Sequence, residues 1–137
     1  MNPFIIFQNW LQEELNLTQV RIPTACCLST VGLDGFPNAR FVSLKEVIDD
    51  SFVVTGPINS RKGLEINQIN KVALTFWWVE SERQVRIQGR ASKNSRKGNS
   101  YFTTTCRQIF FRKKQRQPNS LHCLQPRTRA FKHKQTS

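Results

Sequence analysis

The tetrad Ser60-Arg61-Lys62-Gly63 places a hydroxyl, two cations and a glycine where a short helix should begin. Open backbone N–H groups, the positive end of a helix dipole and two cations together make an anion site, with phosphate the natural guest. Cations in a first turn oppose the dipole, which favours a ligand over an idle, solvated turn. A second cluster, Arg40-Phe41-Val42-Ser43-Leu44-Lys45, carries two cations on an otherwise apolar stretch. On a regular strand these two cations point to opposite faces. They serve one ligand only if the strand bends or a subunit interface unites both faces; two edge charges are the equal alternative. In the third, Arg83-Gln84-Val85-Arg86, the Gln84 amide can donate and accept in one plane, which suits a heterocycle edge as well as a solvent face.

No phosphate-binding glycine loop, zinc-protease helix or serine-nucleophile elbow occurs. Neither histidine lies in the first 93 residues. Phosphate anchors without catalytic side chains point to a bound cofactor that does the chemistry.

The elements that must position these groups are short. Residues 3–17 read as a helix, with Pro3 in its first turn and Phe4, Phe7, Trp10, Leu11 and Leu15 on one face. Residues 24–31 and 37–47 form a hairpin around Gly32-Leu33-Asp34-Gly35. Asp49-Asp50 turns the chain into a strand over 51–55, which Gly56-Pro57 ends. Ser60 should cap a helix from Arg61 to about Asn67. Residues 71–79 have two apolar faces and read as a central strand. Residues 83–91 alternate, with Val85 and Ile87 on one face and Gln84, Arg86, Gln88 and Arg90 on the other. Five mostly antiparallel strands with an N-terminal helix and one short helix close most naturally as an antiparallel barrel or half-barrel. An open edge makes a dimer a reasonable expectation.

The chain has 137 residues and a net charge of +12, unevenly spread. Residues 1–93 hold ten Lys and Arg against nine acids, whereas residues 94–137 hold eleven and no acid. The length fits one domain. No apolar run is long enough for a spanning helix, and the first ten residues lack the pattern of a secretory signal, so a cytoplasmic protein is expected. Cys26, Cys27, Cys106 and Cys123 show no metal-ligand spacing and read as reduced thiols.

In this order and at this spacing, the clusters resemble the pyridoxamine 5′-phosphate oxidase family, FMN-dependent split-barrel proteins that work as homodimers. The similarity runs from about Pro23 to Ala91. It rests on the Asp34-Gly35-Phe36-Pro37 turn, Arg40 to Lys45 for R-x-V-L-L-K, Ser60 to Gly63 for S-R-K-G, and Arg83 to Gly89 for R-Q-V-R-x-x-G. The resemblance implies that Arg40, Phe41, Val42, Ser43, Leu44 and Lys45 line the FMN site, with Arg40 near the flavin phosphate. Ser60, Arg61 and Lys62 would hold that phosphate, and Gln84 would touch the flavin ring. Lys45 would also face the phosphate of a B6 vitamer, as would Tyr101. Thr55 and Gly56 stand where the family has Tyr-Thr, and Ser43 replaces a usual leucine. The implied reaction is oxidation of pyridoxamine or pyridoxine 5′-phosphate to pyridoxal 5′-phosphate, with oxygen as electron acceptor.

After Lys93 the family pattern fades. Thr105 stands where an arginine is expected after Tyr101, and the C-terminal Trp, Arg and His of the family have no counterpart. Residues 1–93 therefore read as an incomplete barrel domain. Residues 94–137 read as a basic tail, either a disordered arm for nucleic acid or the product of a shifted reading frame. The sudden loss of every acid favours the frameshift. Three functions follow: an FMN-dependent oxidase, a flavin-binding module without turnover, or a nucleic-acid binder acting through the tail.

Overall fold

The computed structural model describes residues 2–96 and 99–114. Helix α1 (Pro3–Leu17) leads into β1 (Ala25–Val31), β2 (Pro37–Ile48) and β3 (Ser51–Thr55). Helix α2 (Arg61–Gln68) follows, then β4 (Lys71–Trp78), β5 (Arg83–Arg96) and β6 (Asn99–Lys113). All strand pairs are antiparallel, and the sheet closes on itself in the order β1-β2-β3-β6-β5-β4. Neither helix is long and apolar enough to cross a membrane.

Alternation along the strands fills the interior. Leu28, Leu44, Phe52, Val54, Leu74, Phe76, Val85, Ile87 and Phe102 point inward and are buried. Helix α1 begins as expected: Pro3 occupies the first turn, and the Asn2 side chain accepts the Phe4 N–H at 2.9 Å. Its apolar face plugs one end of the barrel, where Phe7 meets Phe52 and Phe76 edge-on at 5.0 and 5.1 Å. Glu14 lies buried on that same face. Its carboxylate accepts the Glu80 and Ser81 N–H groups and the Ser81 hydroxyl, so it ties the β4–β5 turn to α1.

The main correction concerns the end of the sheet. Five strands and a boundary at residue 93 were expected, but β5 continues to Arg96, and β6 inserts between β3 and β5. The signal was weak because threonines occupy both faces of β6. Phe102 and Thr104 point inward and are fully buried, while Tyr101, Thr103 and Thr105 point outward. β-Branched residues favour a pleated strand whichever face they occupy. The unpaired edges of β3 and β5 supply the partners that no local pattern announces. The Thr104 hydroxyl has no hydrogen-bond partner among the described residues, a polar cost inside this closure. The rest of the expected tail, 115–137, including His122, Cys123 and His133, lies outside the described residues.

Candidate functional site

The start of α2 gathers cations around one buried carboxylate. Ser60 stands at the N-cap position, but its hydroxyl donates to the Pro57 carbonyl at 2.6 Å rather than capping the helix. The expected side-chain cap is therefore absent, and the first N–H groups of α2 have no capping oxygen from Ser60. Gly63 is required by close approach: a Cβ there would lie 1.8 Å from the Ile58 carbonyl oxygen. Gly56 leaves space that the end of the Lys62 side chain fills: a Cβ there would lie 2.4 Å from Cε and 2.8 Å from Nζ, and that flexible chain would have to move aside. The Lys62 ammonium thus lies against bare backbone, 5.8 Å from the centre of the Phe102 ring. Burial lowers the Lys62 pKa from its usual value, and the charge on Arg40 lowers it further.

Glu65, the sole acid between Asp50 and Glu80, organises this end. It is fully buried. Its Oε1 accepts from Thr30 Oγ1 at 2.7 Å and from Arg40 Nη2 at 3.0 Å. Its Oε2 accepts from Asn38 Nδ2 and pairs with Arg61 Nε at 3.4 Å. Arg40 is held further by Nη1 bonds to Thr30 Oγ1 at 2.7 Å and to the Leu28 carbonyl at 3.2 Å. Burial alone would raise the Glu65 carboxyl. The hydrogen bonds from Thr30, Asn38 and Arg40, with the charge of Arg40, bring it below the ordinary carboxylate range. Arg40 and Arg61 pair with this carboxylate, Lys62 lies close enough to feel the charge of Arg40, and the positive surplus of the three cations matches a phosphate monoester dianion. The geometry fits the phosphate end of a flavin mononucleotide.

Sequence reasoning missed Glu65, Thr30 and Asn38. The only local signal was the four-residue spacing of Arg61 and Glu65 along the helix.

The other expected site residues fall elsewhere. In β2, Arg40, Val42 and Leu44 face inward, whereas Phe41 and Lys45 are exposed. A register shift between Leu44 and Glu46 bends the strand at Lys45. Even so, Arg40 and Lys45 stay on opposite sides of the sheet wall. Lys45 and Tyr101 do meet, in a cleft of about 500 Å³ that Glu46, Asp49 and Asp50 also line. Among the described residues, Lys45 is the one cation beside Asp49 and Asp50, so a phosphate there calls for further cations. Thr55 pairs with Tyr101 across β3 and β6. Gln84 lies far from all of these. It faces Trp77 and Arg112 at the start of β5, while Tyr101 pairs with Asn94 near the end of that strand. Ten residues of strand separate the two rows, on the order of 30 Å. One mononucleotide on one chain does not bridge that span.

Ser43 and Gln84 share the outer sheet surface with Phe41, Cys27 and Trp77. Phe41 is 80 % exposed and Trp77 55 %, and both line a shallow cleft with Val20, Ile22 and Val79. Cys26, on the inner face of β1, has its thiol pushed up to about 12 by burial and then by Cys27, so it stays protonated at neutral pH.

Comparison with known proteins gives this geometry a family. The chain is 44 % identical over 101 residues to pyridoxine/pyridoxamine 5′-phosphate oxidase of Nostoc sp. (strain PCC 7120), covering 74 % of this chain and 47 % of that protein. It is 45 % identical over 104 residues to the enzyme of the same name from Haemophilus influenzae (strain 86-028NP), covering 75 % and 49 %. The chain thus spans about half the length of the curated relatives it matches. Among solved structures it resembles PhzG from Burkholderia lata 383, solved with tetrahydrophenazine-1-carboxylic acid. That match has a TM-score of 0.62 and 26 % identity, and covers 69 % of this chain and 46 % of PhzG. A pyridoxamine 5′-phosphate oxidase-related, FMN-binding protein from Nostoc punctiforme PCC 73102 shares the fold at a TM-score of 0.58, with 17 % identity and coverage of 65 % and 48 %. The sequence model of the pyridoxamine 5′-phosphate oxidase family matches residues 12–132, well beyond the 23–91 stretch in which the motifs were read. A closed antiparallel barrel with the family's motifs, its relatives and its sequence model all agree: the chain belongs to the pyridoxamine 5′-phosphate oxidase family.

Proposed function

We propose that the chain acts in FMN-dependent oxidation of pyridoxamine or pyridoxine 5′-phosphate to pyridoxal 5′-phosphate, with oxygen as the electron acceptor. The single observation that carries this reading is the cluster of Arg40, Arg61 and Lys62 around Glu65 at the uncapped start of α2. Bound FMN would supply acceptance of a hydride from the substrate. This chain's residues would bind and orient. Arg61, Lys62 and the open N–H groups after Ser60 hold the flavin phosphate. Arg40, fixed by Glu65 and Thr30, adds charge from the inner face of β2. Gly56 leaves room for the Lys62 side chain beside the phosphate. Lys45 and Tyr101 take the phosphate of the B6 vitamer, and Gln84 takes the flavin ring edge. None of these roles is acid–base, so the protein's share is positioning and charge matching.

A homodimer accounts for the scatter of these residues. The separation of Gln84 from Lys62 within one chain, and the acid-rich cleft at Lys45, both call for groups from a second copy. The exposed Phe41, Trp77, Val79, Ile22 and Val20 supply an apolar surface for it. Three free thiols, Cys26, Cys27 and Cys106, are consistent with a cytoplasmic setting.

The test is an FMN titration of the purified chain, followed by flavin fluorescence. Binding should weaken about 100-fold or more in the Arg61→Ala/Lys62→Ala chain, as expected for losing two charged phosphate contacts. Equal binding by both chains removes the proposal. A second reading, flavin binding without turnover, draws on the chain's half-length match to its relatives. Conversion of pyridoxamine 5′-phosphate by the FMN-loaded chain would exclude it.

A further inference from the structure

A groove of about 530 Å³ opens on the barrel near the C-terminal end of α2, and three cations line it: Lys71 on β4, Arg90 on β5 and Arg107 on β6. Among the described residues, no acid and no aromatic lines this groove. Lys71 and Arg90 are direct cross-strand partners, an arrangement of like charges that destabilises a sheet. Arg107 has no partner in the ladder. The register slips between Gln88 and Gly89, so that Gln88 pairs with Gln108 and Gly89 with Cys106, which leaves Arg107 as the extra residue of a bulge. Gly89 permits this, since a Cβ there would lie 2.2 Å from the Thr105 carbonyl oxygen. None of the ion pairs among the described residues involves Lys71, Arg90 or Arg107. Arg90 donates to Asn70 Oδ1 at 3.4 Å, a neutral partner that leaves its charge uncompensated.

We propose that this groove is a second anion site, for a small, multiply charged phosphorylated molecule of the pyrophosphate class. It shares Thr30 with the cluster at the start of α2, where that hydroxyl bonds Glu65 and Arg40, but none of its three cations belongs to that cluster. The volume suits a small ligand. Ser29 and Gln88 add neutral hydrogen-bonding groups to the three cations. The lack of any aromatic platform disfavours single-stranded nucleic acid, which gains much of its affinity from base stacking. A bulge that turns one more cation into a groove already holding two like charges opposes stability, and a bound polyanion offsets it.

The experiment is calorimetric titration of the full chain with inorganic pyrophosphate at fixed ionic strength. The Arg61→Ala/Lys62→Ala chain serves as background, so that the α2 cluster does not compete. Saturable binding should persist in that background and weaken about tenfold or more on adding Lys71→Gln or Arg107→Gln. Arg107→Lys should restore most of it. The Lys71→Gln chain should melt no lower than its parent, because a like-charge contact has been relieved. Loss of all binding in the background chain alone assigns pyrophosphate to the α2 cluster and overturns the proposal. So does binding indifferent to both groove substitutions. A single-stranded 20-mer DNA that binds with steep salt dependence, and displaces pyrophosphate from the groove variants as readily as from the parent, also overturns it in favour of nucleic acid.

Discussion

The barrel is closed at its two ends by helices that each bury one carboxylate, Glu14 on α1 and Glu65 on α2, but in different company: Glu14 accepts from Glu80 and Ser81, whereas Glu65 gathers cations. At one end α1 inserts rings: Phe7 contacts Phe52, Phe76 and Trp78, and Trp10 meets Phe111 edge-on at 5.2 Å. At the other, α2 inserts a buried carboxylate among Thr30, Asn38, Arg40 and Arg61, with Lys62 beside it. Ring packing is stabilised by area removed from water and is largely indifferent to pH and salt. The charged end is held by mutual satisfaction of polar groups, so it responds to protonation and keeps cations within reach of a ligand. Aromatic packing and a cation cluster thereby lie at different ends of one closed sheet.

That division can be broken by substitution. The largest effect should come from Phe7→Ala, which leaves a cavity against three aromatic rings. About 3–5 kcal/mol of stability should be lost in urea denaturation, with Phe7→Leu much milder. Next comes Glu65→Ala, which strands Arg40 and the Thr30 and Asn38 groups. Because the Arg40 side chain is 25 % exposed, water recovers part of the cost, and about 2–3 kcal/mol should be lost. A larger loss for Glu65→Ala than for Phe7→Ala would make the charged end the main stability element and overturn the comparison.

A smaller effect sharpens it. The Glu65 carboxyl titrates lower in the folded chain than in the unfolded one. Its contribution is therefore complete above the unfolded glutamate value, roughly 4.3, and is lost as pH falls through the lower folded value. The gap in urea midpoint between the native chain and Glu65→Gln should narrow from pH 7 towards pH 3. A gap independent of pH would show that Glu65 acts only through its shape. The smallest expected change is Asn2→Ala, about 1 kcal/mol from loss of the α1 cap, with flavin binding untouched. Weakened flavin binding in that chain would mean that the ends are coupled.

How much of this was legible depended on range. The helix over 3–17, the hairpin, and the inward row of Val72, Leu74, Phe76 and Trp78 follow from patterns within a few residues, and the structure has them. That a helix starts at Ser60-Arg61 was legible for the same reason. Strand β6 was not, because its threonines erase the contrast between faces that marks a strand in sequence. The Glu65 network was not, because its partners Thr30, Asn38 and Arg40 lie 35, 27 and 25 residues away. Gln84 was grouped with Lys62 through a family motif, and only the β5–β6 register separates them along the barrel.

The amino-acid sequence by itself determined which residues could face a core, where the chain must turn, and where two cations meet a helix start. Backbone dihedrals and side-chain periodicity answer to near neighbours, and these features need nothing more. Tertiary structure alone decided that β6 completes the barrel, that Arg40 and Lys45 stand on opposite sides of its wall, and that one carboxylate engages Arg40 and Arg61 but not Lys62. The energy of a charge depends on what closure brings beside it, and closure joins residues that no window of sequence contains.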